Sequence, residues 1–380
     1  MTLKALIGAA IHDGTRLHHG KALLVERKKT VGMVEVDDLP TGCEQHVLKG
    51  GYLTPGFVDL QVNGGGGVLF NDVQTIKSLF CITAAHRRLG TYAILPTLIT
   101  DTPERSRAAI EAVAEAVKMG MPGIVGIHLE GPHLSLARKG AHDPDLIRPM
   151  SEDDLAMICD AAARLPNVML TIAPENVTLK QVSTLAMAGV ILSLGHTDAG
   201  FDTCLAYMRA GVRCSTHLFN AMSPLGNREP GLVGASLDSG GVSAGIIADG
   251  VHVHPATIRA ALRAKQGPGQ VFVVTDAMST VGSDIQQFKL NGRTIHRRDG
   301  TLRLADGTLA GADIDMPRSI AVLVKKVGLT PERAISMVTS VPARMLKPSL
   351  NFGVLKPKSA LPVYLTDTFE FRHLPWHPLA

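Results

Sequence analysis

Gly123-Ile-Val-Gly-Ile-His128-Leu-Glu130-Gly-Pro132 decides how the rest of the chain is read. An apolar run rich in β-branched residues ends in His128-Leu129-Glu130, and Gly131-Pro132 then stops it at once. Such a run reads as a parallel strand buried on both faces. Glu130 therefore sits at the carboxyl end of a buried strand, where carboxylates are scarce unless they are paired or hold a cation. Later runs end the same way. Gly189-Val-Ile-Leu-Ser-Leu-Gly-His196-Thr-Asp198 and Val212-Arg-Cys-Ser-Thr-His217-Leu-Phe-Asn220 each present a histidine, and Val271-Phe-Val-Val-Thr-Asp276 delivers an aspartate. One Glu, two His and one Asp at strand tips form the layout of a metal-dependent hydrolase built on a barrel.

Working outward, the rhythm on both sides is strand then helix. Strands are predicted at Gly56–Val62, Tyr92–Leu98, Ile124–Leu129, Val168–Ala173, Val190–Leu194, Arg213–Thr216, Val242–Ile247 and Val271–Thr275. Helical patterns lie between them, among them Pro103–Met119, Ser151–Arg164, Leu179–Ala188, Ala199–Ala210 and Pro255–Lys265. Pro103 and Pro255 fall near helix starts, where a missing N–H costs little. Eight strands alternating with helices point to an α/β fold, a (β/α)₈ TIM-like barrel. A doubly wound open sheet is the competitor, but its glycine fingerprint should follow the first strand and open a helix, and Gly64–Gly67 fits neither requirement well.

The chain ends differ from this rhythm. Residues 1–53 hold short apolar stretches (Lys4–Ile11, Lys21–Val25, Val31–Val36, His46–Leu48) separated by turn residues, the pattern of a small antiparallel β unit. After Asp276, Phe288–Leu309 with Asn291-Gly292, Asp299-Gly300 and Asp306-Gly307 reads as hairpins. Helices are expected at Met316–Val327 and Pro331–Met345, then short strands at Phe352-Gly-Val-Leu355 and Leu361–Asp367 that return to the N-terminal unit. The expected division is residues 54–345 for the barrel, with 1–53 and 346–380 combining into one small β-sandwich domain.

Composition narrows the function classes. The 380 residues carry a net charge of +4 that is not gathered in one block, and the only tight basic run is Arg27-Lys28-Lys29. With four Tyr and one Trp there is little material for a base-stacking surface, so no nucleic-acid partner is expected. No apolar run approaches the roughly 20 residues that span a bilayer, so no membrane is expected. Five cysteines without a CxxC pair suit a reducing compartment, and a cytoplasmic location is expected.

Glu130, His196 and His217 offer a carboxylate oxygen and two imidazoles, a three-ligand set that leaves a position for water. Asp276 has an ordinary reading as a turn residue, but beside a metal it is placed to take a proton from the attacking water. Gln61 and Asn63, spaced i, i+2 at the end of the first strand, point to one side. Amides are poor zinc ligands, so one metal is expected there rather than two. Further out lie Lys139-Gly-Ala141-His142, Asn220-Ala221-Met222, Arg228-Glu-Pro-Gly231, Ile247-Ala-Asp249-Gly-Val-His252 and Thr308-Leu309-Ala310-Gly311. Arg228 and His252, on predicted βα loops, have the chemistry to bind a phosphate or sugar hydroxyls.

Together these segments resemble the N-acetylglucosamine-6-phosphate deacetylases of the amidohydrolase superfamily. The resemblance runs from Thr54 to Met345 and rests on Pro55-Gly-Phe-Val-Asp-Leu-Gln-Val-Asn-Gly64, Leu95-Pro-Thr-Leu-Ile-Thr100, His128-Leu-Glu-Gly-Pro132, Gly195-His-Thr197, Thr216-His-Leu-Phe-Asn-Ala-Met222, Arg228-Glu-Pro-Gly-Leu-Val-Gly234, Ile247-Ala-Asp-Gly-Val-His252 and Val274-Thr-Asp-Ala277. It implies a hydrolase of linear amide C–N bonds that removes acetate from a phosphorylated amino sugar, with one divalent metal, most readily Zn²⁺, on Glu130, His196 and His217. Asp276 would be the acid/base and His142 would polarise the acetyl carbonyl. Ala141, Asn220, Ala221, His252 and Leu309-Ala310-Gly311 would contact substrate. Arg228 would reach the phosphate held by a neighbouring subunit, which implies a homodimer. The chain departs from the family pattern at Ala312-Asp313, which places an acid near the sugar pocket, and in its tail, Phe371-Arg-His-Leu-Pro-Trp-His-Pro378.

Three other readings compete. The galactosamine epimer would suit the same loops. A cyclic-amide hydrolase of dihydroorotase type expects His-x-His after the first strand and a modified lysine at the fourth, where Gln61-Val-Asn63 and Ala173-Pro-Glu175 stand. A non-catalytic barrel subunit usually lacks a ligand or the acid/base, whereas all four residues are present.

Overall fold

A computed structural model describes residues 3–290, 292–347 and 351–374. Eight parallel strands follow one another in chain order around the sheet: β1 (Phe57–Val62), β2 (Thr91–Ile99), β3 (Ile127–Glu130), β4 (Val168–Ile172), β5 (Ile191–Leu194), β6 (Cys214–Ser215), β7 (Ser243–Ile247) and β8 (Val271–Val274). The predicted strands fall within a few residues of these. β2 is buried at every position, as expected for a strand covered on both faces. Helices α1 (Ile76–Arg87), α2 (Pro103–Lys118), α3 (Glu152–Arg164), α4 (Leu179–Met187), α5 (Phe201–Ala210), α6 (Gly231–Asp238) and α7 (Pro255–Ala264) follow the first seven strands in turn. Their starts are written locally: Ser151 and Asp154 form a capping box at α3, Thr178 and Gln181 another at α4, each cap worth about 1 kcal/mol. α1 and α6 were not among the expected patterns. α6 carries Gly231 and Gly234 in its eight residues, and a side chain at Gly234 would run into Pro230.

Two shells of apolar side chains hold the barrel. Inside it, Val58, Leu60, Leu95, Met169, Phe272 and Val274 pack together, closed from below by Val341, Met345 and Leu346. Outside, residues such as Ile94, Ile127, Leu170, Leu192 and Ile246 meet the inner faces of the helices. Between β8 and α8 (Met316–Val322) an antiparallel sheet is inserted: β9 (Gln287–Leu290), β10 (Arg293–Arg298), β11 (Thr301–Arg303) and β12 (Leu309–Ala312). This is the expected run of hairpins. The Asp299-Gly300 turn has positive φ at both residues, as its sequence signals; Asn291 of the Asn291-Gly292 turn lies outside the described residues.

Both chain ends build one small sandwich. Lys29–Glu35, Lys21–Glu26, Lys4–Ile7 and Glu44–Val47 form one sheet. In the other, the tail strands Phe371–Arg372 and Val363–Leu365 join Tyr52–Thr54, which pairs with Ala10–His12. Leu6, Ile11, Leu23, Leu53, Leu361 and Leu374 fill the space between them.

Two expectations need correction. Pro331–Met345 is not one helix: Pro331–Ser336 and Ser340–Ala343 are separate, and Thr339 between them leaves helical geometry (φ −124°, ψ −93°). Pro342 can neither donate to the carbonyl of Val338 nor avoid it sterically, so a continuous helix is blocked. Phe352–Leu355 forms a turn rather than a strand, with Gly353 at φ +72°. The atypical tail beyond Leu374 lies outside the described residues.

Candidate active site

β3 points His128 and Glu130, two residues apart, into the barrel, while Ile127 and Leu129 pack outward. Glu130 is 2% exposed. His196 and His217 follow β5 and β6 directly, and both take left-handed backbone (φ +47° and +27°), which turns each ring inward over the barrel mouth. Hydrogen bonds hold these turns: Ser135 N–H donates to His196 O (2.8 Å) and Leu218 N–H to Gly245 O (2.7 Å). The side chain of Glu175 braces the first from the neighbouring loop, accepting from Thr197 Oγ1 (2.7 Å) and Asp198 N (2.8 Å).

The result is a tight triangle of donor atoms. His217 Nε2 lies 2.9 Å and His196 Nε2 3.3 Å from Glu130 Oε1, and the two imidazole nitrogens are 3.1 Å apart. Ligand atoms bonded at 2.0–2.1 Å to a tetrahedral zinc lie ~3.4 Å from one another. The triangle therefore fits a small divalent cation with an expansion of a few tenths of an ångström. His196 Nδ1 donates to Arg138 O (2.8 Å), which fixes the proton there and leaves Nε2 with its lone pair for a metal. Burial opposes ionisation of Glu130, but the neighbouring His196 and His217 outweigh it and hold the carboxyl well below the usual range. The site is thus anionic where a cation would bind.

His142 also belongs to this cluster, since one ligating atom from each of Glu130, His142 and His196 lies within 4.8 Å of the others. Its hydrogen bonding separates its role from theirs. The backbone N–H of Thr100 donates to His142 Nδ1 (3.3 Å), so the ring proton sits on Nε2, which faces Glu130 Oε2 at 3.9 Å. A protonated Nε2 donates and does not ligate. Burial, followed by the neighbouring His196, pushes the His142 pKa down to about 3, so the ring stays neutral with one N–H directed into the cavity.

Asp276 stands across the cavity mouth at the tip of β8, also left-handed (φ +52°). Gln61 Nε2 (3.2 Å) and Asn63 Nδ2 (2.6 Å) both donate to its Oδ1, and Gln61 Nε2 also donates to Glu130 Oε1 (3.0 Å). The two amides thus turn N–H groups, not lone pairs, toward the carboxylates. Desolvation and then the charge of Glu130 hold Asp276 above the ordinary carboxylate range. A carboxyl poised in that way can both accept and return a proton near neutral pH.

A cavity of about 200 Å³ opens between these groups. Ala141, His142, Asn220, Ala221 and His252 line it on the barrel side, and Leu309, Ala310 and Gly311 of β12 line it from above, with Leu290 of β9. His252 donates from Nδ1 to Asp249 Oδ2 (2.6 Å), which orients the ring. Arg228 is the one predicted substrate residue that does not line the cavity; it lies on the exposed loop 224–229. Among the described residues no Lys or Arg lines the cavity at all. Asp313, expected near the sugar pocket, does not line the cavity: its carboxylate bonds Arg297 Nε (2.7 Å) and Thr280 Oγ1 (2.9 Å), tying the inserted sheet to the barrel.

Sequence reasoning passed over Thr100, Glu175 and Asp59, each of which bonds to a site segment rather than entering the cavity. Only Asp59 carried a signal, as a carboxylate set within the apolar run that leads to Gln61 and Asn63.

The family model described as "Amidohydrolase family" matches residues 52–360. An N-acetylgalactosamine-6-phosphate deacetylase of Shewanella sp. (strain ANA-3) is 44% identical over 322 residues, 84% of this chain and 80% of that protein. An N-acetylglucosamine-6-phosphate deacetylase of Haemophilus influenzae is 34% identical over 345 residues, 90% of this chain and 89% of its own. The crystal structure of N-acetylglucosamine-6-phosphate deacetylase from Pasteurella multocida superimposes with a TM-score of 0.91 at 34% identity, covering 97% of each chain. With the cation-sized triangle, the facing carboxyl and these relatives in agreement, the chain belongs to the amidohydrolase family, and its resemblance to the N-acetylglucosamine-6-phosphate deacetylases extends over nearly its whole length.

Proposed function

We propose that the protein hydrolyses the acetamide of N-acetyl-D-glucosamine 6-phosphate to D-glucosamine 6-phosphate and acetate, as a step in amino-sugar breakdown. The observation that carries this reading is the set of groups around one cavity: three convergent donor atoms, Asp276 held by amides, and the Nε2–H of His142 facing Glu130. Glu130, His196 and His217 hold one divalent cation, and two imidazoles with one carboxylate favour zinc. When bound there, such a cation would supply positive charge to acidify a water and to stabilise negative charge on the acetyl oxygen. Asp276 takes the proton from the attacking water and later delivers it to the sugar nitrogen, so that an amine rather than an amide anion departs. His142 donates its Nε2–H to the acetyl oxygen and strengthens that bond as negative charge develops. A single cation is consistent with Gln61 and Asn63, whose amide N–H groups already bond the carboxylates of Glu130 and Asp276.

The galactosamine epimer is the second reading, favoured by the 44% identity to the Shewanella protein. Acetate release from both epimers, measured with added zinc, separates the two. The glucosamine compound is expected to give the higher kcat/KM; a preference for the galactosamine compound would reverse the assignment, and no release from either would remove the deacetylase reading.

The phosphate requires cations that the cavity lacks. We assign them to Arg228 acting across a homodimer, because its loop is exposed and leaves its own cavity unserved. A charge-assisted bidentate contact contributes about 1.5–3 kcal/mol, so Arg228→Ala should raise KM for the phosphorylated sugar roughly 10- to 100-fold. The unphosphorylated sugar should be nearly indifferent to the change, and equal losses on both substrates would refute the assignment. No described helix is long and apolar enough to cross a membrane, and the five cysteines are all free, in keeping with a cytoplasmic setting.

A further inference from the structure

The barrel has a seam. Each strand from β1 to β8 shares a parallel ladder with the next, but β8 and β1 do not close the ring with a ladder of their own. In the lower half of the seam both strands turn to a third segment: Val58 N–H donates to Val338 O and Val273 N–H to Met337 O, each at 2.9 Å. In the upper half the strand tips meet in a single bridge, Val62 with Ala277, and a side chain reinforces it. Asp59 Oδ1 accepts from the backbone N–H groups of Gln61 and Thr275, both at 3.2 Å, and Oδ2 accepts from Thr275 Oγ1 at 2.5 Å. Thr275 Oγ1 in turn accepts from Ala277 N–H at 3.2 Å. The carboxylate thus grips the residue before Asp276 directly and the residue after it through one hydroxyl.

We propose that Asp59 is a positioning residue for the proton-transfer step, its carboxylate and the Thr275 hydroxyl together locking Asp276 in the left-handed conformation that faces the cavity. A non-glycine residue held at positive φ stores on the order of 1–3 kcal/mol and keeps that shape only when its surroundings over-determine it. At Asp276 the surroundings come mainly from β1, with Ala312 N–H of β12 also donating to Asp276 O (3.0 Å). Asp59 holds the flanking backbone, Gln61 O accepts from Asp276 N–H (3.0 Å), and the Gln61 and Asn63 amides bond its Oδ1. Asp59 is 0% exposed, and a carboxyl there is costly unless its hydrogen bonds have a use. Burial pushes its pKa up to about 7, with the bonds from Thr275 and Gln61 only partly offsetting the desolvation. A neutral side chain of the same size would fill this space at no such cost, so packing alone does not account for the residue.

The inference rests on the reading of Asp276 as the proton carrier, and the experiment keeps the two apart. Asp59→Asn, Thr275→Val, Thr275→Ser, Asp276→Asn and the Asp59→Asn/Asp276→Asn pair are compared for kcat, KM, bound metal and melting temperature. A displacement of about 1 Å in a catalytic group costs on the order of 100-fold, so Asp59→Asn and Thr275→Val should lower kcat by roughly 10- to 100-fold, with KM and metal content unchanged. Thr275→Ser, which keeps the hydroxyl, should recover kcat. In the Asp276→Asn background, Asp59→Asn should cost little more, because the group it positions is already disabled. A Thr275→Val enzyme with wild-type kcat, or a full additional loss in the double variant, would overturn the role of Asp59 while leaving Asp276 untouched. A fully active Asp276→Asn enzyme would instead remove the reading beneath it. If Asp59→Asn does not fold, the Thr275 pair decides alone.

Discussion

Asp276→Asn should lower kcat by at least about 10²–10⁴-fold, the range that general acid–base help supplies, with the metal still bound and KM nearly unchanged. The substitution preserves size, and its amide can still meet Gln61 and Asn63, so the cavity keeps its shape. What it removes is the capacity to take a proton from water and return it to the sugar nitrogen. Both transfers are needed in one turnover, because water is a weak nucleophile until it is deprotonated and an amide anion is a prohibitively poor leaving group. Asp276 is suited to both by surroundings that hold its pKa above the ordinary carboxylate range: desolvation first, then the charge of Glu130. The discriminating measurement is kcat on enzyme whose metal content has been verified. Retention of more than about a tenth of wild-type activity, well outside the range above, would mean that another group carries the proton.

His196→Asn and His217→Asn should each abolish metal retention and turnover together. Each residue supplies one corner of a triangle whose edges are 2.9–3.3 Å, and no neighbour is placed to substitute. His142 is the nearest imidazole, with its ring 4.4 Å from that of His196, but its Nδ1 is engaged by Thr100 and its Nε2 carries the proton. Loss of a partner that merely orients a ligand reduces metal affinity about 10–100-fold, and loss of the ligand itself should exceed that. Elemental analysis after dialysis against a chelator should find one equivalent in the wild type and none in either variant. Two equivalents in the wild type, both needed for activity, would mean that Gln61 and Asn63 do bind a second ion. A variant that loses turnover but keeps its metal would move that histidine from ligand to substrate contact.

The strand tips were legible because two local rules coincide there. A strand buried on both faces must be apolar, so a Glu, His or Asp at its end stands out against Ile, Leu and Val, and Gly131-Pro132 marks where the strand stops. The same alternation rule placed Gln61 and Asn63 on one face. It did not say which way their amides turn, since an amide offers a lone pair and an N–H alike, and the choice follows from the two carboxylates that the fold brings opposite. Arg228 and Asp313 show the limit on loops: both are polar residues close in sequence to site segments, yet one is displayed outward and the other is drawn to Arg297 on the inserted sheet.

By itself the sequence determined the order of strands and helices, the faces those strands bury and the identity of the groups at their ends, all of which depend on neighbours within a few residues. Only the tertiary structure decided which nitrogen of His142 carries the proton, how Gln61 and Asn63 are oriented and what holds Asp276 in place. Each of those rests on a partner far away in the chain: Thr100 for His142, Glu130 for Gln61, and Asp59 for Thr275, 216 residues apart. Hydrogen bonds depend on distance and angle in space, and chain proximity specifies neither once the contact spans the closure of a barrel.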